Sequence, residues 1–337
     1  MIKPLVSVII VDYKKSNPYL KEGLDAIAKQ TYKNYEIILI TDYPVGLVSP
    51  KLRKKSYGKY VGPAKKRDDG AKMARGSILA FLDDDAFPDI NWLKEMVKEY
   101  KDKEIVAVGG PGVTPPGVSW QEDASGWASA SPLGSGTFSY RFLPGKRQLV
   151  DDYPSMNLSV RRKEFLSIGG FDSNYWPGED TKLCLDLISK LNKKIIYNPK
   201  MLVYHHRRPV FRKHLIQNGN FGLHRGFFAR ILPKTSLKPI YFLPSLLLLG
   251  VSYLIAGYIL SIIGRQEYVN LPFYLPILYL TYLYLFLLFA NSIWISKYTK
   301  GKKTFQALFS IIVIFVTHLW YGLKFLQGLL FTDKLTR

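Results

Sequence analysis

Cysteine is almost absent from this chain of 337 residues, since Cys184 is the single thiol. No disulfide can form within the chain, so a small fold held together by disulfides is excluded. Cys184 lies in a helical pattern, and we expect its side chain to be buried and inert. A chain of this length is long enough for one large domain with its own apolar core plus an appendage.

Charge is nearly absent from three stretches at the C-terminal end. Each has the roughly 20 apolar residues that a helix needs to cross a bilayer. We predict an all-α membrane domain over 239–331, with transmembrane helices at 240–263, 272–296 and 304–326. The third stretch is less purely apolar, because it contains residues such as His318 and Lys324, and a helix lying in the membrane interface is the alternative for it.

Acidic residues are missing between Asp186 and Glu267, although the whole chain has a net charge of +21. The cations of this region precede the first apolar stretch, so we predict a basic interfacial helical segment at 207–238 that contacts membrane lipids. No nucleic-acid motif accompanies the charge, and we expect no nucleic-acid partner. The loop 297–303 is also basic, while the loop between the first two stretches is not. These patterns predict a multi-pass protein of the cell membrane with a cytoplasmic N-terminal domain, and three crossings would leave the C-terminus outside.

Two nucleotide-binding signatures are also missing. The chain has no G-x-x-x-x-G-K-[S/T], and Gly134-Ser135-Gly136 lacks the third glycine of a dinucleotide fingerprint. P-loop nucleotidases and nicotinamide enzymes are therefore disfavoured. Residues 109–145 are rich in glycine, proline and serine, and we expect a long loop over the sheet edge, of the kind that often forms a lid.

Apolar runs alternate with helical patterns through the first 206 residues. This order predicts an α/β domain with a doubly wound, mostly parallel sheet and flanking helices. Asn17 and Pro18 favour the start of the first helix. Residues 51–67 are crowded with Lys and Arg, and after a basic loop we expect a helix from Lys65 that leads through Gly70 and Gly76 into the strand at Ile78. The predicted strands are Pro4–Val11, Glu36–Ile40, Ile78–Leu82, Glu104–Val108, Lys194–Tyr197 and Met201–Tyr204.

Three consecutive carboxylates, Asp83, Asp84 and Asp85, follow the predicted strand Ile78–Leu82. The carboxyl ends of parallel strands are where ligands bind, and adjacent carboxylates that repel one another suit a hard divalent cation such as Mg²⁺ or Mn²⁺. The alternative is a polar turn before a helix that is capped by Asp89.

Glu179 and Asp180 stand at the start of another predicted helix. There, acids can cap the helix and favour its dipole, and the same dipole would keep a carboxylate ionised as a general base needs. His205 and His206 end the last strand. Because side chains alternate along a strand, one of the two histidines, His205 or His206, can face a metal site.

An ordered set of motifs in the first 210 or so residues resembles the family-2 inverting glycosyltransferases, which have the GT-A fold. The matching segments are Val6–Ile10 with Tyr13, Gln30–Ile38 leading to Asp42, Lys66-Arg67 with Gly70, Phe81–Asp85 with Pro88, Asn157 with Arg161-Arg162, Gly169–Asp172 and Glu179-Asp180.

The resemblance implies a role for the matching positions. Asp42 would accept a hydrogen bond from the nucleobase, Asp83 would contact the ribose or nucleotide, and Arg67 would lie near the nucleotide. Asp85, with Asp83, would bind the metal that bridges the diphosphate, and Asp180, supported by Glu179, would deprotonate the acceptor. Tyr13 and Asp84 are assigned to the same nucleotide-sugar site.

The resemblance also has departures. Thr41 replaces the first acid of the usual pair after the second strand, and the expected Arg-Asn-x-Gly appears as Arg67-Asp68-Asp69-Gly70. These changes concern the nucleobase and the donor sugar. No Gln-x-x-Arg-Trp follows Gln217, so transfer of a single sugar is expected rather than polymerisation.

The implied function is metal-dependent transfer, with inversion, of one sugar from a nucleotide-sugar donor (a UDP- or GDP-sugar) to a hydroxyl of a lipid-linked saccharide at the cytoplasmic face. A polyprenyl- or dolichyl-phosphate glycosyltransferase is the alternative enzyme. A phosphate acceptor is already ionised and needs no base, so the Glu179-Asp180 pair favours a hydroxyl acceptor. A non-catalytic membrane scaffold is the alternative from another class.

Overall fold

A computed structural model of the chain describes residues 3–14, 16–175, 177–265 and 271–335. Residues 266–270, in the loop that we predicted between the first two membrane stretches, lie outside the described part. The described residues form two compact units. One comprises the described residues up to Pro116, Tyr140–His206 and Leu335, and the other comprises Gly117–Ser139 and Arg207–Lys334.

The first unit contains two sheets. The strands are β1 Val6–Asp12, β2 Tyr35–Thr41, β3 Leu52–Ser56, β4 Ile78–Asp83, β5 Ala86–Pro88, β6 Ile105–Gly109, β7 Gly112–Val113, β8 Gln148–Val150, β9 Asn157–Arg161, β10 Lys194–Tyr197 and β11 Val203–His205. The large sheet has the order β3-β2-β1-β4-β9-β6-β10-β8, and the small one has the order β5-β11-β7. In the large sheet β9 runs antiparallel to β4 and β6, and β8 antiparallel to β10. The predicted mostly parallel α/β sheet is confirmed.

Helices cover both faces of the large sheet. In this unit they are α1 Pro18–Ala28, α2 Pro63–Met73, α3 Trp92–Glu99, α6 Arg162–Ser167 and α7 Glu179–Ser189. Asn17 caps α1 as predicted, because its side-chain oxygen accepts from the Tyr19 backbone N–H at 3.1 Å. Every residue of β1 is buried, and so is nearly every residue of β2 and β4, so these strands carry the core.

One prediction about the basic region 51–67 is wrong. Residues Leu52–Ser56 form β3, which pairs with β2 at the edge of the sheet. An edge strand forms hydrogen bonds on one side only, and lysines on it prevent pairing with other chains. Because β3 contains Lys54 and Lys55 and few apolar residues, its sequence lacks the apolar run by which strands were predicted.

The second unit is helical. Its helices are α4 Trp120–Ala130, α5 Pro132–Ser135, α8 Arg212–Ile231, α9 Pro233–Ser236, α10 Pro239–Ile262, α11 Leu271–Tyr298 and α12 Thr304–Phe331. Three of them, α10, α11 and α12, are long and apolar enough to cross a membrane, with mean hydropathies of 2.0, 1.9 and 1.7.

Residues 117–139 differ from the predicted long loop. They contain α4 and α5 and belong to the helical unit rather than to the sheet unit. Trp120 packs edge-on against Phe305 and Phe309 of α12, with ring centroids 5.4 and 5.2 Å away. The glycines and serines that suggested a loop are small residues, and within α4 they allow close packing in this unit, so composition alone was misleading here.

Candidate active site

The acids of the site meet because neighbouring parallel strands end at one edge of the sheet. Asp12 at the end of β1 pairs in register with Thr41 of β2, and Val11 pairs with Asp83 of β4. Asp42 follows directly after β2. Three elements therefore deliver carboxylates to the carboxyl edge, where open α/β sheets bind ligands.

Asp83, Asp85 and His205 form a cluster whose potential ligand atoms all lie within 4.8 Å of one another. The small sheet brings the imidazole there, because Ala86 of β5, next to Asp85, pairs with His205 of β11. His205 Nε2 lies 3.0 Å from Asp85 Oδ1. Two carboxylates and an imidazole form a donor set that suits a divalent cation.

His206, the other candidate ligand, is directed elsewhere. Its ring stacks on Tyr19 with centroids 4.0 Å apart, and its Nε2 lies 3.1 Å from Glu22 Oε2. Of the two histidines, the fold thus brings His205 to the strand-end acids.

Asp84 points to a different set of neighbours from Asp83 and Asp85. The Asn17 amide donates to Asp84 Oδ2 at 2.6 Å, and the Lys14 ammonium lies 3.4 Å from the same atom. Burial, together with the negative charge of Asp85, raises the pKa of Asp84 to about 8. Asp84 lies beside the end of β1, and its assignment to the nucleotide-sugar site stays a prediction.

Arg67 of α2 joins the strand-end acids to the helix-start acids. Its guanidinium donates to Asp83 Oδ1 at 3.1 Å and to Glu179 Oε1 at 2.9 Å. The arginine and Glu179 are both buried, so their charges compensate each other away from water. We predicted Arg67 near the nucleotide, and the structure places it between two carboxylates of the site.

Glu179 and Asp180 are adjacent, but they have different surroundings. Glu179 is buried, and its Oε2 accepts from the Gly178 backbone N–H at 2.9 Å, so both of its oxygens have partners. Asp180 is half-buried and accepts from the backbone N–H groups of Ser155 and Thr181 at 3.3 and 2.8 Å. Glu179 therefore organises the site, and Asp180 is the more available carboxylate.

The protonation of Asp180 differs from our expectation. We expected the dipole of α7 to keep this carboxylate ionised at neutral pH. Burial raises the pKa of Asp180 to about 7, and the charges of Glu179 and Asp152 add to that rise. These effects outweigh the nearby Arg67 and the hydrogen bond from the Ser155 backbone N–H, both of which lower the pKa.

Asp42 is completely buried, and its Oδ1 accepts from the Lys66 ammonium at 2.9 Å and from the Val61 backbone N–H at 3.1 Å. Within the described part of the chain, no hydrogen-bond partner contacts its Oδ2. A buried carboxylate oxygen without a partner is costly, so a donor from a bound ligand would be favourable at this atom. Tyr13, the other predicted nucleotide contact, is half-exposed, with the Lys14 ammonium 5.3 Å from its ring centroid.

Three residues at the site were missed or given only one role. Lys66 neutralises Asp42 and also donates to the Asp12 carbonyl at 2.9 Å. Asn17, predicted as a helix cap, also donates to Asp84 and to Asp12 Oδ1. Asp152, which accepts from Thr181 Oγ1 at 3.1 Å, lies in a turn without any local signal. Their contacts join residues far apart in sequence, and only the fold reveals them.

Asn157, one of the matching motif positions, is structural. Its amide donates to the carbonyls of Gly110 and Met201, each at 2.7 Å, and its oxygen accepts from Trp92 Nε1 at 2.8 Å. The side chain links β9 to the segments after β6 and before β11, which helps to hold His205 in place.

Comparison with known proteins identifies this arrangement. The model of glycosyl transferase family 2 matches residues 7–163. Over these residues the chain is similar to the family 2 glycosyltransferases. The matched segment runs from β1 to the start of α6, and it includes the strand-end acids and Arg67.

Two curated relatives extend the similarity. The glucosyl-dolichyl phosphate glucuronosyltransferase of Haloferax volcanii is 24% identical over 226 residues, which are 59% of this chain and 68% of that protein. The pre-mycofactocin glycosyltransferase of Mycobacterium tuberculosis is 29% identical over 161 residues, which are 48% of this chain and 33% of that protein. The chain thus spans about two thirds of the first glycosyltransferase and one third of the second.

A solved structure shares the fold. It is a mannosyltransferase from Pyrobaculum calidifontis in complex with GDP-Man and Mn²⁺, with a TM-score of 0.51 and 18% sequence identity. The match covers 95% of this chain and 88% of that chain. The predicted GT-A fold followed by apolar C-terminal helices is confirmed.

Proposed function

We propose that this family 2 glycosyltransferase transfers one sugar, with inversion, from a nucleotide-sugar donor to a hydroxyl of a lipid-linked saccharide at the cytoplasmic face of the membrane. The observation that carries the proposal is the linked pair of acidic sites. A cluster with metal-ligand chemistry lies at the end of β4, and a half-buried carboxylate lies at the start of α7, with Arg67 connecting the two.

A divalent cation fits the cluster of Asp83, Asp85 and His205. Mg²⁺ takes oxygen ligands, whereas first-row transition ions also accept an imidazole nitrogen, so the presence of His205 favours Mn²⁺ over Mg²⁺. When bound, the ion would neutralise charge on the leaving nucleoside diphosphate.

Asp180 is proposed as the general base. It accepts the proton of the acceptor hydroxyl while that oxygen forms a bond to the anomeric carbon and the bond from that carbon to the diphosphate breaks. A pKa of about 7 suits this task, because a base works best when its pKa lies near the operating pH. Glu179 positions this element through Arg67 and is not itself the base.

Asp42 is proposed to contact the nucleobase. Its partnerless Oδ2 can accept from a ring or amino N–H, while Lys66 holds Oδ1 in place. Asp83, Asp84, Arg67 and Tyr13 would complete the nucleotide-sugar site.

A lipid-linked saccharide is proposed as the acceptor for two reasons. The helical unit has three helices that are apolar and long enough for a membrane. The Haloferax volcanii relative is named for transfer onto a glucosyl-dolichyl phosphate, which is a lipid-linked saccharide. A sugar hydroxyl needs a base, and this requirement agrees with the position of Asp180.

The proposal is tested with detergent-purified full-length protein. It is incubated with a panel of UDP- and GDP-sugars and Mn²⁺ or Mg²⁺, with and without polyprenyl-linked mono- and disaccharides and polyprenyl phosphate. We expect release of one nucleoside diphosphate that is stimulated by a saccharide acceptor. Stimulation by polyprenyl phosphate alone would instead support the alternative enzyme, and no release with any donor would support the scaffold.

A further inference from the structure

The C-terminal part of α12 packs against the beginning of α10. Ser245 Oγ donates to the Gly322 carbonyl at 3.0 Å, and the rings of Phe242 and Phe325 have centroids 4.7 Å apart. A Cβ added to Gly322 would clash with the carbonyl of Pro244, so the two backbones touch here. The last third of α12 therefore lies at the level where α10 begins.

The basic helix α8 runs parallel to this part of α12. His214 Nε2 lies 2.9 Å from Thr317 Oγ1 near one end, and the Arg230 guanidinium donates to the Thr332 carbonyl near the other. Arg225 donates to Ser236 Oγ, just before α10, at 3.2 Å. If the second half of α12 lay in hydrocarbon, α8 would lie there beside it with its arginines, which is costly.

The start of α12 also has polar neighbours. Lys303 forms an ion pair of 2.6 Å with Asp123 of α4, and the adjacent Glu122 accepts from the Arg207 backbone N–H at 2.9 Å. Asp123 is buried, so this charge pair is part of the packing between α4 and the loop before α12. Both ends of α12 are thus held by charged segments of the same unit.

The hairpin of α10 and α11 extends beyond these contacts. A Cβ at Gly250 would meet Ile277 at 3.2 Å, and the rings of Tyr253 and Tyr274 lie 6.3 Å apart, so the two helices pair antiparallel. From Leu246 to the end of α10, a helix rises about 24 Å at 1.5 Å per residue. That length is close to the hydrocarbon core of a bilayer, which is about 30 Å thick.

The exposure of α12 is one-sided. Its exposed apolar residues recur at helical spacing, while its buried residues pack against α4, α8, α10 and α11. The exposed set is Phe305, Leu308, Ile312, Trp320, Leu323, Leu330 and Phe331, and the buried set is Ala307, Ser310, Val313, Ile314, Gly322, Phe325 and Gly328. One face of α12 is therefore free to contact lipid, and the other is bound to protein.

We propose that α12 lies in the plane of the membrane interface, with its Phe305, Leu308 and Ile312 face in the lipid, and that the chain crosses the bilayer twice, through α10 and α11. The cations near both ends of α12, Lys302 and Lys334 among them, then face the headgroups of one leaflet. The C-terminus lies on the same side as the segment 207–238, whereas three crossings would put it on the opposite side.

Cysteine labelling tests the number of crossings. Lys334→Cys, Lys302→Cys and Arg265→Cys are made separately in the natural chain, whose Cys184 is buried with a raised thiol pKa and serves as the unlabelled background. Intact cells are treated with a large, membrane-impermeant maleimide before and after permeabilisation. Lys334→Cys is expected to label like Lys302→Cys and on the opposite side from Arg265→Cys.

The proposal would be overturned if Lys334→Cys were labelled from the same side of the membrane as Arg265→Cys. It would also be overturned if all three cysteines were labelled from the same side. If Lys334→Cys reacts poorly with the maleimide, a C-terminal fusion protein measures the side of the C-terminus independently. Green fluorescent protein at the C-terminus is expected to fluoresce and alkaline phosphatase to be inactive, and the reverse result contradicts two crossings.

Depth measurements test the orientation of α12 directly. Nitroxide labels are attached at Ile312→Cys and Leu323→Cys, which lie on the exposed face about 16 Å apart along the helix. Accessibility to oxygen and to a polar nickel chelate should give the same shallow depth for both. The matched pair Tyr279→Cys and Phe286→Cys in α11 should differ in depth by about 10 Å. A depth difference of about 16 Å between the two α12 sites would show a crossing helix.

Discussion

The acids at the end of β4 and the acids at the start of α7 are the same kind of side chain in two different environments. Asp83 and Asp85 lie with an imidazole, in a geometry that fits a cation. Glu179 is paired with Arg67, and beside it Asp180 has a pKa of about 7. The neighbours of each carboxylate thus set its proposed task. Asp83 and Asp85 are suited to bind a cation, and Asp180 is suited to accept a proton.

The largest expected effect comes from removing a carboxylate of the strand-end group. Asp85→Asn takes away one charged ligand beside His205, so both nucleotide-sugar binding and transfer should fall, the latter by at least about a thousandfold. Nucleotide-sugar binding by calorimetry and turnover with Mn²⁺ measure the two effects. Asp102→Asn, the same change at a surface turn, is the matched control and should leave both unchanged. Full turnover of wild type in excess EDTA would remove the metal from the proposal.

Asp180→Asn should lower transfer without weakening nucleotide binding, and so distinguish the role of the helix-start acids from that of the strand-end acids. Asparagine is nearly isosteric and keeps the contacts to Ser155 and Thr181, so nucleotide affinity should stay within a few-fold of wild type. Transfer should fall roughly a hundredfold or more, because a positioned base contributes about 10²–10⁴-fold. Single-turnover rates and nucleotide affinity are the measurements. Transfer at the wild-type rate would mean that Asp180 only caps α7, and the acceptor would then be a phosphate.

His205→Gln should weaken the strand-end group without abolishing it. The imidazole lies 3.0 Å from Asp85, and its loss should lower Mn²⁺ affinity at least about tenfold, which is typical even for residues behind the direct ligands. The preference for Mn²⁺ over Mg²⁺ should shrink as well. Metal titrations of activity measure both effects. His206→Gln, which changes the neighbouring ring that stacks on Tyr19, is the control and should retain the metal preference.

The pH dependence of transfer should give the smallest effect. Asp180 acts as a base only when it is ionised, so the rate should rise about tenfold per pH unit below its pKa and level off above about 7. The measurement is the rate of transfer at limiting donor, which reports the titrating groups of the enzyme before it binds donor. The residual rate of Asp180→Asn should lack this rise. An identical rise in that variant would assign the titration to another group.

Sequence patterns predicted the α/β fold and six of its strands, because long apolar runs are a local signal of buried strands. The run Ile78–Leu82 before three acids predicted both β4 and the edge at which ligands bind, and Asn17 with Pro18 predicted the start of α1. The strands β3, β5, β7, β8 and β9 and the helix α4 were missed. A solvent-exposed edge strand rich in lysine lacks an apolar run, and a helix rich in small residues has the composition of a loop.

The sequence by itself determined that this chain has a glycosyltransferase-like α/β domain, a set of acids in a fixed order and apolar C-terminal helices, because these depend on local periodicity and on motifs. Only the tertiary structure decided that His205 rather than His206 meets the strand-end acids, that Arg67 joins Asp83 to Glu179, and that burial raises the pKa of Asp180. Those features depend on how segments far apart in the chain pair as strands and bury one another's side chains. No local sequence pattern encodes which side chains will meet in such a buried site.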